Sequence, residues 1–276
     1  MDLYTAVSYK LSRQLTLKYS TSFGISSLLF GRTVRRHIFA IYGLARIADE
    51  VVDTYRGVDA LSVLDSLESN TLSALKSGYS TNPIIHSFAV TAIEYDIKDD
   101  LIAPFFASMR IDATPNGYSQ DMYKEYIHGS AEVIGLMCLR VFCNNNQAQY
   151  KKLEQGAAAL GAAYQKVNFL RDLAADYKEL GRVYFPGVTF ESFDIKTKQK
   201  IIRDIESDLK KADKAIRQLP RSSRVAVQVS RAYYGALLGR LENASAEHIK
   251  KSRIRVSDIK KSALLVAVVA REGLRK

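Results

Sequence analysis

The chain has 276 residues, of which 47% are hydrophobic and 25% charged, with 5 prolines and 2 cysteines. That balance fits a globular domain with a sizeable core and excludes a disordered chain, a collagen-like repeat and a disulfide scaffold. The net charge of +11 is unevenly placed: residues 196–224 hold ten Lys/Arg against four Asp/Glu, residues 242–276 nine against four, and the remainder is neutral in sum. Such asymmetry fits either a polyanionic partner (nucleic acid, anionic lipid, a phosphorylated substrate) or a solvated basic face.

The N-terminus, MDLYTAVSYKLSRQ, has no apolar core of the kind a secretory signal needs. The first strongly periodic segment is Arg35 to Tyr55, where Ile38, Ile41, Tyr42, Ala45, Ala48 and Val52 recur at spacings of three and four, the helical period. Turn residues follow at Gly57, from Gly78 to Pro83 and at Pro115-Asn116-Gly117. Helical periodicity resumes from Met122 to Phe142, a stretch that holds Gly129, Gly135 and both cysteines, Cys138 and Cys143. The two cysteines form no CxxC and are expected as buried free thiols in a reducing compartment. After Asn144 to Asn146 a helix is expected from Leu153 to Tyr177, carrying Gly156, Ala157, Ala158, Ala159 and Gly161. Small residues at helix interiors serve close helix–helix contact, or leave a channel for a long apolar ligand, or both.

Pro186-Gly187 and Pro220 bracket the helical segment Lys198 to Leu219, and Val225 to Leu241 follows. The longest strongly apolar run near the C-terminus, Ala263 to Ala270, has 8 residues, where a membrane span needs about 20. No segment alternates as a strand and no fixed repeat is visible. The expectation is a single all-α domain over residues 1–276 with about ten helices, placed in the cytoplasm or held peripherally at a membrane surface.

Two acidic pairs stand out. Asp49 and Asp53 lie in Ala-Asp-Glu-Val-Val-Asp, and Asp172 and Asp176 in Arg-Asp-Leu-Ala-Ala-Asp. A spacing of four puts both carboxylates on one helical face, where like charges repel by about 0.2–0.5 kcal/mol. On helices this apolar, cations explain such pairs, and hard oxygen ligands favour Mg²⁺ held by one or two carboxylates plus substrate phosphates. Spacing alone is weak evidence, since Asp96/Asp100 and Asp204/Asp208 share it. The Asp204/Asp208 pair sits among lysines and is expected on an exposed face; Asp96 and Asp100 are expected at a loop or helix end. Asp49/Asp53 instead follow Arg46 on an apolar helix, and Gln165, Asn168, Asp172 and Asp176 form one polar stripe among Leu, Ala, Val and Phe. A buried polar stripe needs partners. From the residues alone, a metal–diphosphate site and a structural network both remain open.

The stretches from Tyr42 to Asp53 and from Gln165 to Asp176 resemble the two aspartate-rich motifs of the squalene/phytoene synthase family. Tyr126-Ile-His-Gly-Ser-Ala-Glu-Val-Ile-Gly135, Arg182-Val-Tyr184-Phe-Pro and Arg253-Ile-Arg255-Val-Ser resemble further family segments, in family order, over residues 15 to 265. The resemblance is closest to bacterial phytoene synthases. It implies an isoprenoid-synthase-type helical bundle around a central cavity. It also implies an enzyme: a Mg²⁺-dependent (or Mn²⁺-dependent) prenyltransferase joining two geranylgeranyl diphosphates head to head through a cyclopropylcarbinyl diphosphate to phytoene. By the same resemblance Asp49, Asp53, Asn168, Asp172 and Asp176 would hold the metals. Arg46, Arg171 and Arg253 would face diphosphate, Tyr42, Tyr126, Tyr184 and Tyr234 would surround the reacting carbons, and Ser20, Ser22 and Gln165 would join the substrate-binding set. Tyr126 is the first choice among the tyrosines, and the proton acceptor is assigned to no residue, diphosphate itself being a candidate.

Two departures bear on this. Thr21 stands where many relatives carry a basic residue, and no C-terminal membrane anchor of the kind eukaryotic squalene synthases carry is expected. No dinucleotide motif is present, so no nicotinamide cofactor is expected. The rivals are a squalene or dehydrosqualene synthase using farnesyl diphosphate, against which small Ser26 and Ser27 weigh, and a non-catalytic helical assembly factor on the same fold. Nucleic-acid binding is disfavoured because the basic segments hold few aromatics and no known module. A peripheral contact with anionic membrane accounts better for the basic surface.

Overall fold

The computed structural model describes residues 1–55, 57–113 and 119–274. In chain order the helices are α1 (Leu3–Tyr19), α2 (Thr21–Ser27), α3 (Arg32–Asp49), a first π-helical segment (Glu50–Tyr55), α4 (Ala60–Ser77), α5 (Pro83–Glu94), α6 (Asp99–Ala113), α7 (Gln120–Ile127), a second π-helical segment (His128–Glu132), α8 (Val133–Cys143), α9 (Gln147–Leu180), α10 (Ile195–Ile216), α11 (Arg221–Asn243), α12 (Ala246–Lys251) and α13 (Asp258–Gly273). No strand occurs among the described residues, so the chain is all-α. The helices outnumber the ten expected because α2, α7 and α12 have 7, 8 and 6 residues, too short to display a period. The expected turn at Pro115-Asn116-Gly117 lies outside the described residues, as does the side chain of Thr21.

Local chemistry sets many of the starts. The side chains of Asp2, Asn82, Asn146, Asp194 and Ser257 each accept a backbone N–H in the first turn of the helix that follows, a cap worth about 1 kcal/mol. The apolar stripe read from Arg35 to Tyr55 becomes the buried face of α3, with Ile38, Ile41, Leu44 and Ala48 at 2% exposure or less. It packs with Phe88, Phe106 and Met137 in one core, while Leu170, Ile205 and Leu241 centre a second. The 34-residue α9, about 50 Å long at 1.5 Å per residue, runs through the centre against α8, α10 and α11.

The small residues serve the first of their expected purposes, close helix–helix contact. A Cβ on Gly161 would lie 2.3 Å from the carbonyl oxygen of Ala131, and one on Gly135 2.7 Å from that of Ala157. The backbones of α8 and α9 therefore touch. Gly161→Ala is expected to cost about 1–3 kcal/mol through overpacking, read as a lowered thermal midpoint. Gly135, Gly156, Ala157 and Gly161 also line an apolar cavity of about 150 Å³, closed by Phe30, Phe142 and Leu219 among others. The run Gln120–Cys143 is long and apolar enough to cross a membrane, but 56% of its apolar window is buried inside the protein, where it packs against α6 and α9. Cys138 and Cys143 are both free thiols, and burial pushes them up to about 12 and about 11.

One expectation is reversed. Asp204 and Asp208 do not both sit on an exposed face, because the ammonium of Lys166 on α9 donates to each of them and Asp208 is buried. A buried lysine needs such partners. This lysine lies 38 and 42 residues upstream of the two acids, out of reach of any local spacing rule. Asp96 keeps its expected place, in a left-handed turn at φ 54° and 2.9 Å from Lys98, and Asp100 stands in the first turn of α6.

Candidate active site

Asp49 is the last residue of α3 and Asp53 lies in the first π-helical segment, a local widening of the helix that is frequent at functional sites. Asp172 and Asp176 lie one turn apart on α9. The two pairs are brought together. The carboxyl of Asp176 is pushed up to about 7 by burial first, then by the charges of Asp172, Asp53 and Asp112. That of Asp49 is pushed up to about 8 by desolvation, with Asp53 and Asp112 adding to it and Arg46 opposing. These carboxylates lie close enough to raise one another and form one acidic cleft, in which all four are half-buried.

Arginines flank the cleft. Arg46 pairs with Glu50, stands 3.7 Å from Asp49 and lies 4.4 Å over the ring of Tyr19. Its Nε is buried with no hydrogen-bond partner among the described residues. Arg171 Nε donates to Asp172 Oδ1 at 3.0 Å, and Arg253 Nε lies 2.7 Å from the same oxygen. On the same wall Tyr234 donates to Asn168 Oδ1 at 3.4 Å and stacks on Tyr164 at 3.7 Å. Tyr164 and Phe23 line the apolar cavity, and Phe23 stacks on Tyr42 at 5.1 Å. The cavity thus adjoins the polar wall through two aromatic pairs. Ser20 caps α2 by accepting from the Phe23 N–H, while Ser22 and Gln165 are half-buried.

A buried aspartate that spacing did not reveal ties the floor of the cleft together. Asp112, 6% exposed near the end of α6, accepts from the Tyr126 hydroxyl at 2.6 Å and from Arg182 Nη1 at 3.0 Å. Arg182 Nη2 also donates to the Asp112 carbonyl at 2.6 Å, and the Tyr184 hydroxyl lies 3.5 Å from Asp112 Oδ1. Gly181, at φ 65°, ends α9 in a left-handed cap and turns the chain so that Arg182 and Tyr184 come back to the cleft. Tyr184 stacks on Phe169 at 4.1 Å, and Tyr126 lies 5.7 Å from Tyr184. Neither Asp112 nor Arg182 was a sequence candidate, although Arg182 opens one of the motif segments.

The sequence profile described as squalene/phytoene synthase matches residues 16–260. The chain belongs to the squalene/phytoene synthase family. Among curated members of that family, a phytoene synthase of Arthrospira platensis is 31% identical over 191 residues, 65% of this chain and 61% of that protein, so the match spans less than two thirds of the relative. A 4,4'-diapophytoene synthase of Staphylococcus haemolyticus is 25% identical over 73% of this chain and 70% of its own length. A crystal structure of a dehydrosqualene synthase with ligand superposes with a TM-score of 0.82 at 19% identity, covering 98% of each chain, and this shows the shared fold.

The donor set suits the hard cations that the family implies. Six carboxylates (Asp49, Glu50, Asp53, Asp112, Asp172, Asp176) meet four guanidiniums (Arg46, Arg171, Arg182, Arg253), a surplus of negative charge that adds to desolvation in raising the carboxyls of Asp49 and Asp176. Among the described residues no three acidic, His or Cys side chains converge into a ready-made cage. Mg²⁺ needs none, since it binds through one or two carboxylates with water and phosphate oxygens completing its shell.

The same surplus predicts a pH dependence. Raised carboxyls bind protons in the folded state that the unfolded chain, at its ordinary value of 3.8, has already released. Their contribution to stability is therefore complete below pH 4 and is lost as the pH climbs to about 7 and 8. Metal-free protein is expected to lose thermal stability between about pH 4 and about pH 8, the window those values bracket, and Asp49→Asn to flatten that slope. Thermal unfolding in EDTA across the range checks it.

Proposed function

We propose that this enzyme joins two geranylgeranyl diphosphates head to head to give phytoene and two diphosphates. The observation that carries the reading is the meeting of two aspartate pairs and their arginines beside an apolar cavity. Asp49 and Asp53 on one wall and Asn168, Asp172 and Asp176 on the other would hold Mg²⁺, which when bound draws off the negative charge that develops on a departing diphosphate. Arg46, whose Nε lacks a partner, and Arg171 and Arg253, which now hold Asp172, supply further positive charge for that leaving group.

The chain's own residues then have a second task. Loss of diphosphate leaves an allylic cation, which the double bond of the second substrate attacks; ring closure with loss of a proton, for which the released diphosphate is a candidate acceptor, gives a cyclopropylcarbinyl diphosphate. The loss of that second diphosphate, rearrangement and release of a proton complete the reaction. Between the two ionisations water must be excluded. The stacked rings of Tyr126, Phe169 and Tyr184, the Tyr164–Tyr234 pair and the apolar cavity walls do this, and their π faces favour a nearby cation. Ser26, 2% exposed, lines the cavity, and Ser27 is fully buried beside it in sequence. The small side chains at these two positions are the feature that favours the longer C20 substrate in this reading.

Farnesyl diphosphate is the competing substrate, favoured by the likeness to a 4,4'-diapophytoene synthase. Incubation with each diphosphate and Mg²⁺, with and without NADPH, followed by hydrocarbon extraction, separates the two. The proposal predicts phytoene from the C20 substrate without NADPH. A C30 hydrocarbon alone, or squalene formed only with NADPH, would overturn it.

A further inference from the structure

The outward face of α13 carries no charge. At about 100° per residue, Ile259, Ala263, Val266, Val269, Ala270 and Leu274 share one broad arc, and all six are exposed, Ile259 at 84%, Val266 at 64% and Leu274 at 85%. The opposite side is the packed one, where Val268 is buried with Val229 and Tyr233 of α11, and Leu264 and Leu265 pack against them. The helix is thus apolar on both sides, and water is a poor partner for the second.

Cations border that face at both ends. Before it stand Lys251, Arg255 and Lys260, all exposed, with Asp258 as the one exposed acid in the helix. Beyond it Arg271 is exposed, and Glu272 is buried in an ion pair with Arg224 at 2.9 Å. Arg224 lies one turn from exposed Arg221, and the Ser222 carbonyl accepts from Gly31 beside exposed Arg32. A second copy of the chain seated on this helix, parallel or antiparallel, would set cations against cations. An anionic surface with an apolar interior matches both features at once.

We infer that the exposed face of α13 is a docking surface for an anionic lipid bilayer, the apolar arc entering the headgroup boundary and the flanking arginines and lysines pairing with lipid phosphates. The position suits the site. α11 carries Val229 and Tyr233 against α13 and places Ala226, Val227 and Ser230 on the wall of the apolar cavity, so one helix separates the cavity from the bilayer face. The inference does not depend on the reaction proposed above, because binding is read without substrate.

The test is cosedimentation of the full chain with vesicles of phosphatidylglycerol and phosphatidylcholine, or of phosphatidylcholine alone, with light scattering on the free protein. Expected are binding to the anionic vesicles at least tenfold stronger than to neutral ones, loss of most of it in Val266→Asp, and a similar loss in the charge-reversed Lys260→Glu/Arg271→Glu protein, whose apolar face is intact. Both variants alter exposed side chains, and retained thermal unfolding confirms that they fold. Equal binding to both vesicle types, binding unchanged in the two variants, or a dimer that Val266→Asp converts to monomer would overturn the inference, the last by showing a second copy on this face.

Discussion

Alanine in place of Asp49 or Asp172 is expected to abolish hydrocarbon formation, a loss of a thousandfold or more, with helical content unchanged. The magnitude follows from the charge each carboxylate anchors. One unit charge pair at 4 Å and an effective dielectric of 20 is worth about 4 kcal/mol, roughly a thousandfold in rate, and each residue serves a different wall of the cleft. The two losses differ in their by-effects. Asp49 carries a raised carboxyl in a crowded acidic cleft, so its removal relieves repulsion and raises the thermal midpoint of metal-free protein. Asp172 holds Arg171 and Arg253, so its removal leaves two guanidiniums without their acceptor and lowers that midpoint. Product assay together with thermal unfolding checks both halves, and equal stability changes in the two variants would contradict the charge distribution described.

Asp112→Asn is the second large expectation. The substitution keeps the shape and one acceptor for the Tyr126 hydroxyl, but it removes the charge that fixes Arg182. A hydrogen bond to a charged group is worth about 1.5–3 kcal/mol, so kcat is expected to fall roughly tenfold to a hundredfold, with a smaller change in KM. Asp112 acts here as a positioning residue, through Tyr126 and Arg182. A double-mutant cycle with Tyr126→Phe distinguishes this from general destabilisation, since positioning predicts a combined loss well short of the product of the single losses. Multiplicative losses would place Asp112 outside the catalytic arrangement.

The contrast between Asp112 and the aspartate pairs shows what a sequence can carry. Asp49/Asp53 and Asp172/Asp176 were legible because an acid repeated at four residues on an apolar helix conflicts with burial unless something neutralises it. The context separated these pairs from Asp96/Asp100. Asp112 stands alone in an ordinary amphipathic stretch, and its partners Tyr126, Arg182 and Tyr184 are 14, 70 and 72 residues away. Asp208 hid for the same reason, its lysine lying on another helix. The bundle was readable from periodicity and turn residues. The two π-helical segments were not, since a single wide turn changes no residue pattern, yet one of them carries Asp53 and the other begins two residues after Tyr126. The close contact of Gly135 and Gly161 was readable as a need for small residues, without the identity of the facing helix.

The most direct test of the paired-wall account is a crystal structure with Mg²⁺ and inorganic diphosphate. Cations joining the diphosphate to Asp49 or Asp53 on one side and to Asp172 or Asp176 on the other are the predicted result. A diphosphate bound away from the cleft, or held by one aspartate pair with the other turned to solvent, would contradict it.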